Sequence, residues 1–254
     1  MRLSATAAAG VALAVWMLTG GATVSGQQPR STAPRPDLSG YWGPGRGAPP
    51  DPVRVKQLPP NTVVLNDAGA TELPLGDYGG LKVKPAALGA AKAWKPQDEM
   101  TISRACLPPS IVYTMQGPFP MEIYQATELI VLKLEYFDLV RIVFMDGREH
   151  PKDVPHSKVG HSIGRWEGST LVVDTTHISE STITNNGLNH SDQVHVVERF
   201  WLSEDGKTLY GLQEFEDPVV LDNRGARFMA WTRSPGEYVF PYECDPSYGA
   251  NYQK

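Results

Sequence analysis

The densest set of side chains that could do chemistry lies in residues 146–167, DGREHPKDVPHSKVGHSIGRWE. Three of the six histidines, His150, His156 and His161, fall in this segment together with Asp153. A histidine with a pKa near neutral beside a carboxylate can take up and return a proton, so these four residues are candidate catalytic groups. The same residue types could hold a zinc ion, although their spacing matches no standard metal motif. Alternatively, the histidines are loop residues that hydrogen-bond to backbone carbonyls.

Two arginines in the same segment are candidate substrate-binding residues. Arg148 and Arg165 could hold an anionic or enolate-like group, or could form surface ion pairs. Pro151 and Pro155, with the glycines around them, exclude a regular helix. The segment is therefore predicted to be a long loop that leads into a strand and forms the rim or lid of a pocket.

Two further candidate catalytic carboxylates lie in strand-like runs. Alternate residues of a strand share a face, so Asp174 shares a face with Val172, and Glu198 shares a face with Val196 and Phe200. A carboxylate among apolar side chains must be paired or must shift its pKa. Asp174 and Glu198 are therefore interpreted either as groups that handle protons or as members of buried ion pairs with nearby arginines.

The elements that must position these residues are short runs rich in Val, Ile, Tyr, Phe and Thr, which follow one another after residue 106. Such runs, separated by turn residues at close spacing, are typical of an antiparallel meander. The predicted strands are 111–116, 121–125, 128–136, 139–145, 162–166, 170–176, 194–202, 208–216, 227–233 and 238–242. About ten strands predict a mainly β fold, a single antiparallel curved sheet or barrel of lipocalin-like character, because open edges would aggregate.

The part of the chain before this meander has a different composition. Residues 27–60 are so rich in proline that they are predicted to form neither ladders nor helices and to lie as an extended arm. Residues 84–95 are rich in alanine, with Pro85 in the first turn, and predict one short helix. The predicted organisation is residues 1–26 as a signal peptide, 27–105 as a Pro-rich arm with a short helix, and 106–254 as a β-barrel-like domain.

The first residues predict export. Residues 1–26 combine one positive charge, a short apolar run and small residues at the exit, as a cleavable signal peptide does, although an uncleaved anchor is the alternative. The protein is therefore expected in the periplasm or outside the cell, with no membrane span after cleavage. Cys106 and Cys244 are then expected to form a disulfide, and two unpaired thiols are the alternative. The net charge of −5 disfavours nucleic acid as a partner.

The expected ligand is a small apolar or aromatic molecule held inside the sheet. The chain has ten Tyr, six Trp and seven Phe, which could line such an interior. Tyr124, Trp166 and Trp201 are the candidate substrate-binding aromatics. Since no serine-hydrolase elbow, phosphate-binding glycine loop or dinucleotide fingerprint is present, no organic cofactor is expected.

One segment resembles a known group of proteins. Residues 160–176, GHSIGRWEGSTLVVDTT, resemble the GxSxGxWxGDTLVVDT-type segment of a family of secreted, largely uncharacterised bacterial proteins found in acidobacteria and some proteobacteria. Further pieces agree in order between Cys106 and Cys244, including the Glu198-Arg199-Phe200 run, whereas Ser169 stands where the family usually has Asp. The resemblance implies a secreted β-rich domain and assigns no catalytic residues.

Three functions therefore remain open. The first is a cofactor-independent acid–base enzyme, an isomerase, lyase or hydrolase acting on a small apolar or aromatic substrate. The second is a non-catalytic periplasmic ligand-binding protein of lipocalin-like type. The third is a metal-dependent enzyme that uses the same histidines and aspartates.

Overall fold

The fold is mainly β and is built on one large curled sheet. The computed structural model describes residues 35–69, 71–95 and 106–247, so the predicted signal peptide lies outside the described residues. The strands are β1 Gly40–Trp42, β2 Arg46–Gly47, β3 Thr62–Val64, β4 Met121–Gln125, β5 Leu129–Leu134, β6 Val140–Phe144, β7 His161–Glu167, β8 Thr170–Thr176, β9 Ser181–Thr184, β10 Leu188–His190, β11 His195–Leu202, β12 Thr208–Glu216 and β13 Arg224–Thr232. The helices are α1 Pro52–Val55, α2 Pro85–Ala93 and α3 Ile111–Thr114, and residues Tyr136–Asp138 form a 3₁₀ turn.

The large sheet has the strand order β1-β4-β5-β6-β7-β8-β11-β12-β13-β2 and curls into a half-barrel. Its pairs are antiparallel except β6 with β7 and β3 with β13. Strands β9 and β10 form a separate hairpin between β8 and β11. The predicted mainly β fold with a curved antiparallel sheet is therefore confirmed, and so is the predicted helix near residues 84–95.

Tight turns join the strands that carry the candidate residues. Gly168 connects β7 to β8 with φ 60°, and Gly206 lies in the β11–β12 turn with φ 68°. A residue with a side chain adopts this left-handed backbone only with strain, so Gly fixes the position of both turns. The turns set the register in which β7, β8, β11 and β12 present their outward side chains.

The prediction that the Pro-rich arm forms no ladders or helices is wrong. Strand β1 pairs with β4 at one end of the sheet, and β2 pairs with β13 at the other. Between them the backbone amide of Gly43 donates to the carbonyl of Thr232 over 2.7 Å. The strands fit because they are very short and the prolines fall outside the paired residues, as at Pro44. Segment 40–47 therefore connects the two ends of the sheet.

Two predicted strands are also wrong. Residues 111–116 begin with α3, because the Ser110 side chain accepts a hydrogen bond from the backbone amide of Val112 and starts a helical turn. Residues 238–242 form no strand, since their backbone amides donate to the side chains of Glu135 and Asp138 instead of to a neighbouring strand. The predicted disulfide between Cys106 and Cys244 is confirmed, with its Cα atoms 5.7 Å apart.

The inner face of the sheet is closely packed and contains a buried polar network. Arg141 on β6 forms an ion pair of 2.5 Å with Glu198 on β11, and both side chains are fully buried. Arg227 on β13 forms two hydrogen bonds of 2.8 Å with Asp67. Gln213 on β12 lies between these pairs, 3.4 Å from Glu198 and 3.3 Å from Arg227. We call these five residues the inner network.

Candidate functional site

Four side chains on the outer face of the sheet form a connected cluster. Oδ1 of Asp174 on β8 lies 3.0 Å from Nε2 of His150 and 2.9 Å from Nε2 of His195 on β11. Nδ1 of His150 in turn lies 2.8 Å from Nδ1 of His161 on β7. We call His150, His161, Asp174 and His195 the outer cluster.

Strand pairing explains why the outer cluster forms. Asp174 lies opposite Ile163 on β7 and opposite Val197 on β11. Alternate residues share a face, so His161 on β7 and His195 on β11 point to the same side of the sheet as Asp174. His150 comes from the loop after β6, which returns over this face. The predicted long loop therefore contributes one imidazole, and three neighbouring strands contribute the rest.

The hydrogen bonds limit where the protons lie. A carboxylate only accepts, so both Nε2 atoms that contact Asp174 carry a proton. When His150 is neutral, its Nδ1 accepts from the Nδ1 of His161, and the Nε2 of His161 has a lone pair. In this tautomer the chain runs from Asp174 through His150 to His161, and it ends in a proton acceptor.

Three pKa values in the cluster are shifted. Burial raises the pKa of Asp174, but hydrogen bonds and charge from His195 and His150 outweigh burial, so its pKa lies below the usual range. Burial, with the neighbouring His150, lowers the pKa of His161. The hydrogen bond to Asp174 raises the pKa of His195 against the opposing effect of burial. His161 therefore releases its proton more readily than an ordinary imidazole, and His195 holds its proton more strongly.

His195 also adjoins two open clefts. Its Nδ1 lies 3.5 Å from Glu216 on β12, and Glu216 forms a 2.5 Å ion pair with Arg224 on β13. These three residues line both a cleft of about 620 Å³ and a smaller one of about 240 Å³. Both clefts run beside the segment around Pro60. We therefore place the candidate site on the outer face, beside these clefts. The expected ligand inside the sheet stays a prediction.

Two more histidines lie near the outer cluster. The ring centroid of His177 is 6.5 Å from that of His150 and 5.3 Å from that of His156. His156 also approaches Asp192, with 3.8 Å between Nδ1 and Oδ2. Five of the six histidines of the chain thus gather in one region, which the loop and the outer strands bring together.

The sixth histidine has a structural position. Nε2 of His190 lies 2.7 Å from the hydroxyl of Ser110, and Nδ1 lies 2.7 Å from the carbonyl of Ser191. Both side chains are buried. Burial lowers the pKa of His190 to about 4. A neutral imidazole in this position bridges β10 to the start of α3.

The other candidate catalytic and anion-binding residues lie apart from the outer cluster or at its border. Asp153 is in the exposed part of the loop, and Glu198 belongs to the inner network. Arg148 pairs with Asp146 and lies 3.8 Å above the Phe144 ring. Arg165 forms a surface ion pair of 2.6 Å with Glu167.

The candidate aromatic residues lie elsewhere on the sheet. Tyr124 is exposed on β4, and Trp166 packs partly against the core near the end of β7. Trp201 stacks on Tyr210, with Arg54 3.6 Å from the centre of its ring. A strand advances about 3.3 Å per residue, so Trp166 is roughly 16 Å and Trp201 roughly 20 Å along its strand from the histidine of the outer cluster.

His195 and Glu216 were missed as site residues by the sequence interpretation. Both occupy outward positions of strands that were predicted correctly, opposite each other in the register of β11 and β12. The available signal was a histidine on the strand face that also carries Val197 and Arg199. The pairing of β11 with β8, which brings His195 to Asp174, joins strands separated by a hairpin and has no local signature.

Within residues 35–69, 71–95 and 106–247, no group of three or more His, Cys, Asp or Glu side chains has an arrangement suited to a metal ion. No helix among these residues has the length and apolar character needed to cross a membrane. Comparisons of the chain with protein-family models, curated proteins and solved structures found no match. The resemblance of residues 160–176 to a bacterial family therefore stays a prediction.

Proposed function

We propose that this protein is a periplasmic or secreted enzyme that transfers protons on a small molecule without an organic cofactor, as an isomerase, lyase or hydrolase. The observation that carries the proposal is the convergence of two imidazoles on one oxygen of Asp174, at 3.0 and 2.9 Å. A carboxylate that accepts from an imidazole orients the ring, fixes its tautomer and stabilises its charged form.

In this mechanism the two strand histidines have opposite roles. His161 presents a free Nε2, and its lowered pKa keeps the ring neutral, as a general base requires. His195 has a raised pKa and lies between the carboxylates of Asp174 and Glu216, which suits a general acid. Environments that move the pKa values of two titratable groups apart are typical of acid and base pairs in enzymes.

The surroundings of the outer cluster support a small-molecule substrate. The cleft of about 620 Å³ beside His195 has the volume of a small-molecule site. His195 lines this cleft and its side chain is 35% exposed, so a substrate in the cleft can reach it. The disulfide fits an oxidising compartment, and together with the predicted signal peptide it supports the periplasm or the extracellular medium.

The test uses NMR in D₂O to measure proton exchange and turnover of a panel of small carbonyl compounds and esters. Asp174→Asn keeps the size of the side chain but removes the charge that orients both histidines. We expect it to lower the rate of any active compound by about a hundredfold or more. The wild-type rate should rise with pH through the lowered pKa of His161 and fall through the raised pKa of His195.

Asp205→Asn is the matched control. Asp205 lies in the exposed β11–β12 turn, where it accepts from Ser203 and Lys207. This variant should retain the wild-type rate. A rate that is equal in Asp174→Asn and the wild type would contradict the proposal, and ligand binding without exchange would favour a non-catalytic binding protein.

A further inference from the structure

The smaller cleft next to His195 combines an apolar wall with two guanidinium groups. Pro59 and Val197 supply apolar surface, and Arg199 on β11 and Arg224 on β13 both line the cleft. Their side chains are 29% and 40% exposed, so a ligand can reach both. The volume of about 240 Å³ suits a molecule the size of one substituted ring.

We propose that this cleft binds a small organic acid, with its carboxylate held by Arg199 and Arg224 and its apolar body against Pro59 and Val197. A planar guanidinium matches a carboxylate through two parallel hydrogen bonds, so two arginines at one cleft select an anion over a neutral molecule of the same shape. The inference rests on the proposed function in one respect, since His195 lines the same cleft and would act on the bound acid.

The charged groups that face the cleft are balanced before a ligand binds. Arg199 is paired with Glu214, and Arg224 is paired with Glu216. His195, which carries a positive charge when it is protonated, is paired with Asp174 over 2.9 Å. A ligand carboxylate must therefore compete with these internal carboxylates for a guanidinium group.

Glu214 is the internal competitor for the proposed carboxylate. Its side chain is only 13% exposed, and burial raises its pKa despite the neighbouring Arg199. A ligand carboxylate would compete with Glu214 for Arg199, whose side chain is 29% exposed at the cleft.

The test is titration calorimetry of the full chain with benzoate and with its neutral isostere benzamide. We expect benzoate to bind at least about tenfold more tightly than benzamide, because only benzoate pairs with the guanidinium groups. Arg199→Gln and Arg224→Gln should each weaken benzoate binding by about tenfold, with little effect on benzamide. Equal affinities for the two compounds would overturn the inference.

Glu214→Gln provides a second variant with the opposite expected sign. It frees Arg199 from its internal partner, so benzoate should bind several-fold more tightly, and a misfolded protein could not produce this gain. Arg46→Gln is the matched control, since Arg46 is exposed on β2 and donates to Thr232. Benzoate affinity that is unchanged in Arg199→Gln, Arg224→Gln and Glu214→Gln would overturn the inference.

The two proposals can fail separately. Benzoate binding through Arg199 and Arg224 in a protein that turns over no compound would support the anion site and contradict the enzyme. Turnover that depends on Asp174, in a protein that binds benzoate and benzamide equally, would support the enzyme and contradict the anion site.

Discussion

The inner network and the outer cluster both place a carboxylate between partners from several strands, but they differ in their contact with water. Glu198 is fully buried beside Arg141, whereas the side chain of Asp174 is 30% exposed beside two histidines. A buried ion pair with a permanently charged arginine cannot exchange protons with a ligand. A half-exposed carboxylate with imidazole partners can, because imidazoles change charge near neutral pH.

Strand β11 contributes to both regions. Glu198 points to the inner face, and His195, three residues earlier, points to the outer face. Strand β8 shows the same division, since Asp174 points outward while the neighbouring Thr175 accepts from Arg141 on the inner face over 2.7 Å. The inner network thus determines the positions of the strands, and these strands position the outer cluster.

The largest expected effect comes from breaking the inner network on one side only. Arg141→Leu leaves Glu198 buried without its cation, so the free energy of unfolding should fall by about 3–5 kcal/mol. Chemical denaturation at neutral pH measures this loss. The fraction of protein that remains folded should keep the pKa of His195, because Arg141 does not contact the outer cluster in this structure.

The double variant Arg141→Leu/Glu198→Leu is the control for this prediction. It removes the uncompensated charge together with its partner, so it should be more stable than the single variant. If the single variant were as stable as the wild type, the inner network would not hold the sheet together. The inner network would then resemble the outer cluster in having little effect on stability.

Much of the fold could be predicted from the sequence because alternation and turn residues are local. Strands β4, β8 and β12 have the predicted bounds, whereas β9 and β10 were not predicted. Residues 111–116 were predicted as a strand because Ile, Val, Tyr and Thr favour strands, but helix α3 forms there. Ser110 and burial of the α3 side chains override that propensity.

Less of the candidate site could be predicted, because it depends on pairing between distant strands. His150, His161 and Asp174 were identified from residue type, and the structure brings them together. Glu198 was identified by the same reasoning, but it faces the interior. The sequence could not show this, because β11 has apolar groups on both faces and the pattern does not indicate which face is buried. His195 reaches Asp174 only through the β8–β11 pairing, which encloses a separate hairpin.

A smaller effect on the free energy of unfolding is expected from His190, the buried histidine, as the pH falls. The folded-state pKa of His190 is about 4, below its ordinary value near 6.5, so the folded state favours the neutral ring. This contribution to stability is present above pH 6.5 and is lost as the pH falls towards 4. The loss is about 3 kcal/mol.

Denaturation at a series of pH values checks the prediction for His190. His190→Gln removes the titrating group, so its stability should fall less than that of the wild type between pH 6.5 and 4. His156→Gln, at an exposed position, should retain the wild-type profile. Identical profiles for the wild type and His190→Gln would show that other groups cause the acid sensitivity.

The smallest expected effect is on the outer cluster, where Asp174→Asn should lower the free energy of unfolding by about 1 kcal/mol or less, because these pairs are partly exposed. The effect on protonation should be clear, since the hydrogen bond from His195 to Asp174 is the main cause of the raised pKa of His195. Proton NMR titration of the imidazole should show that this pKa falls in Asp174→Asn.

A group with a raised folded-state pKa adds stability below its unfolded value near 6.5, and this stability is lost as the pH rises through the folded value. The free energy of unfolding of the wild type should therefore exceed that of Asp174→Asn by more just below pH 6.5 than above the raised pKa of His195. Asp205→Asn should show no such dependence on pH. An unchanged pKa of His195 in Asp174→Asn would mean that the two side chains do not interact in solution, and the outer cluster would then be an ordinary polar surface.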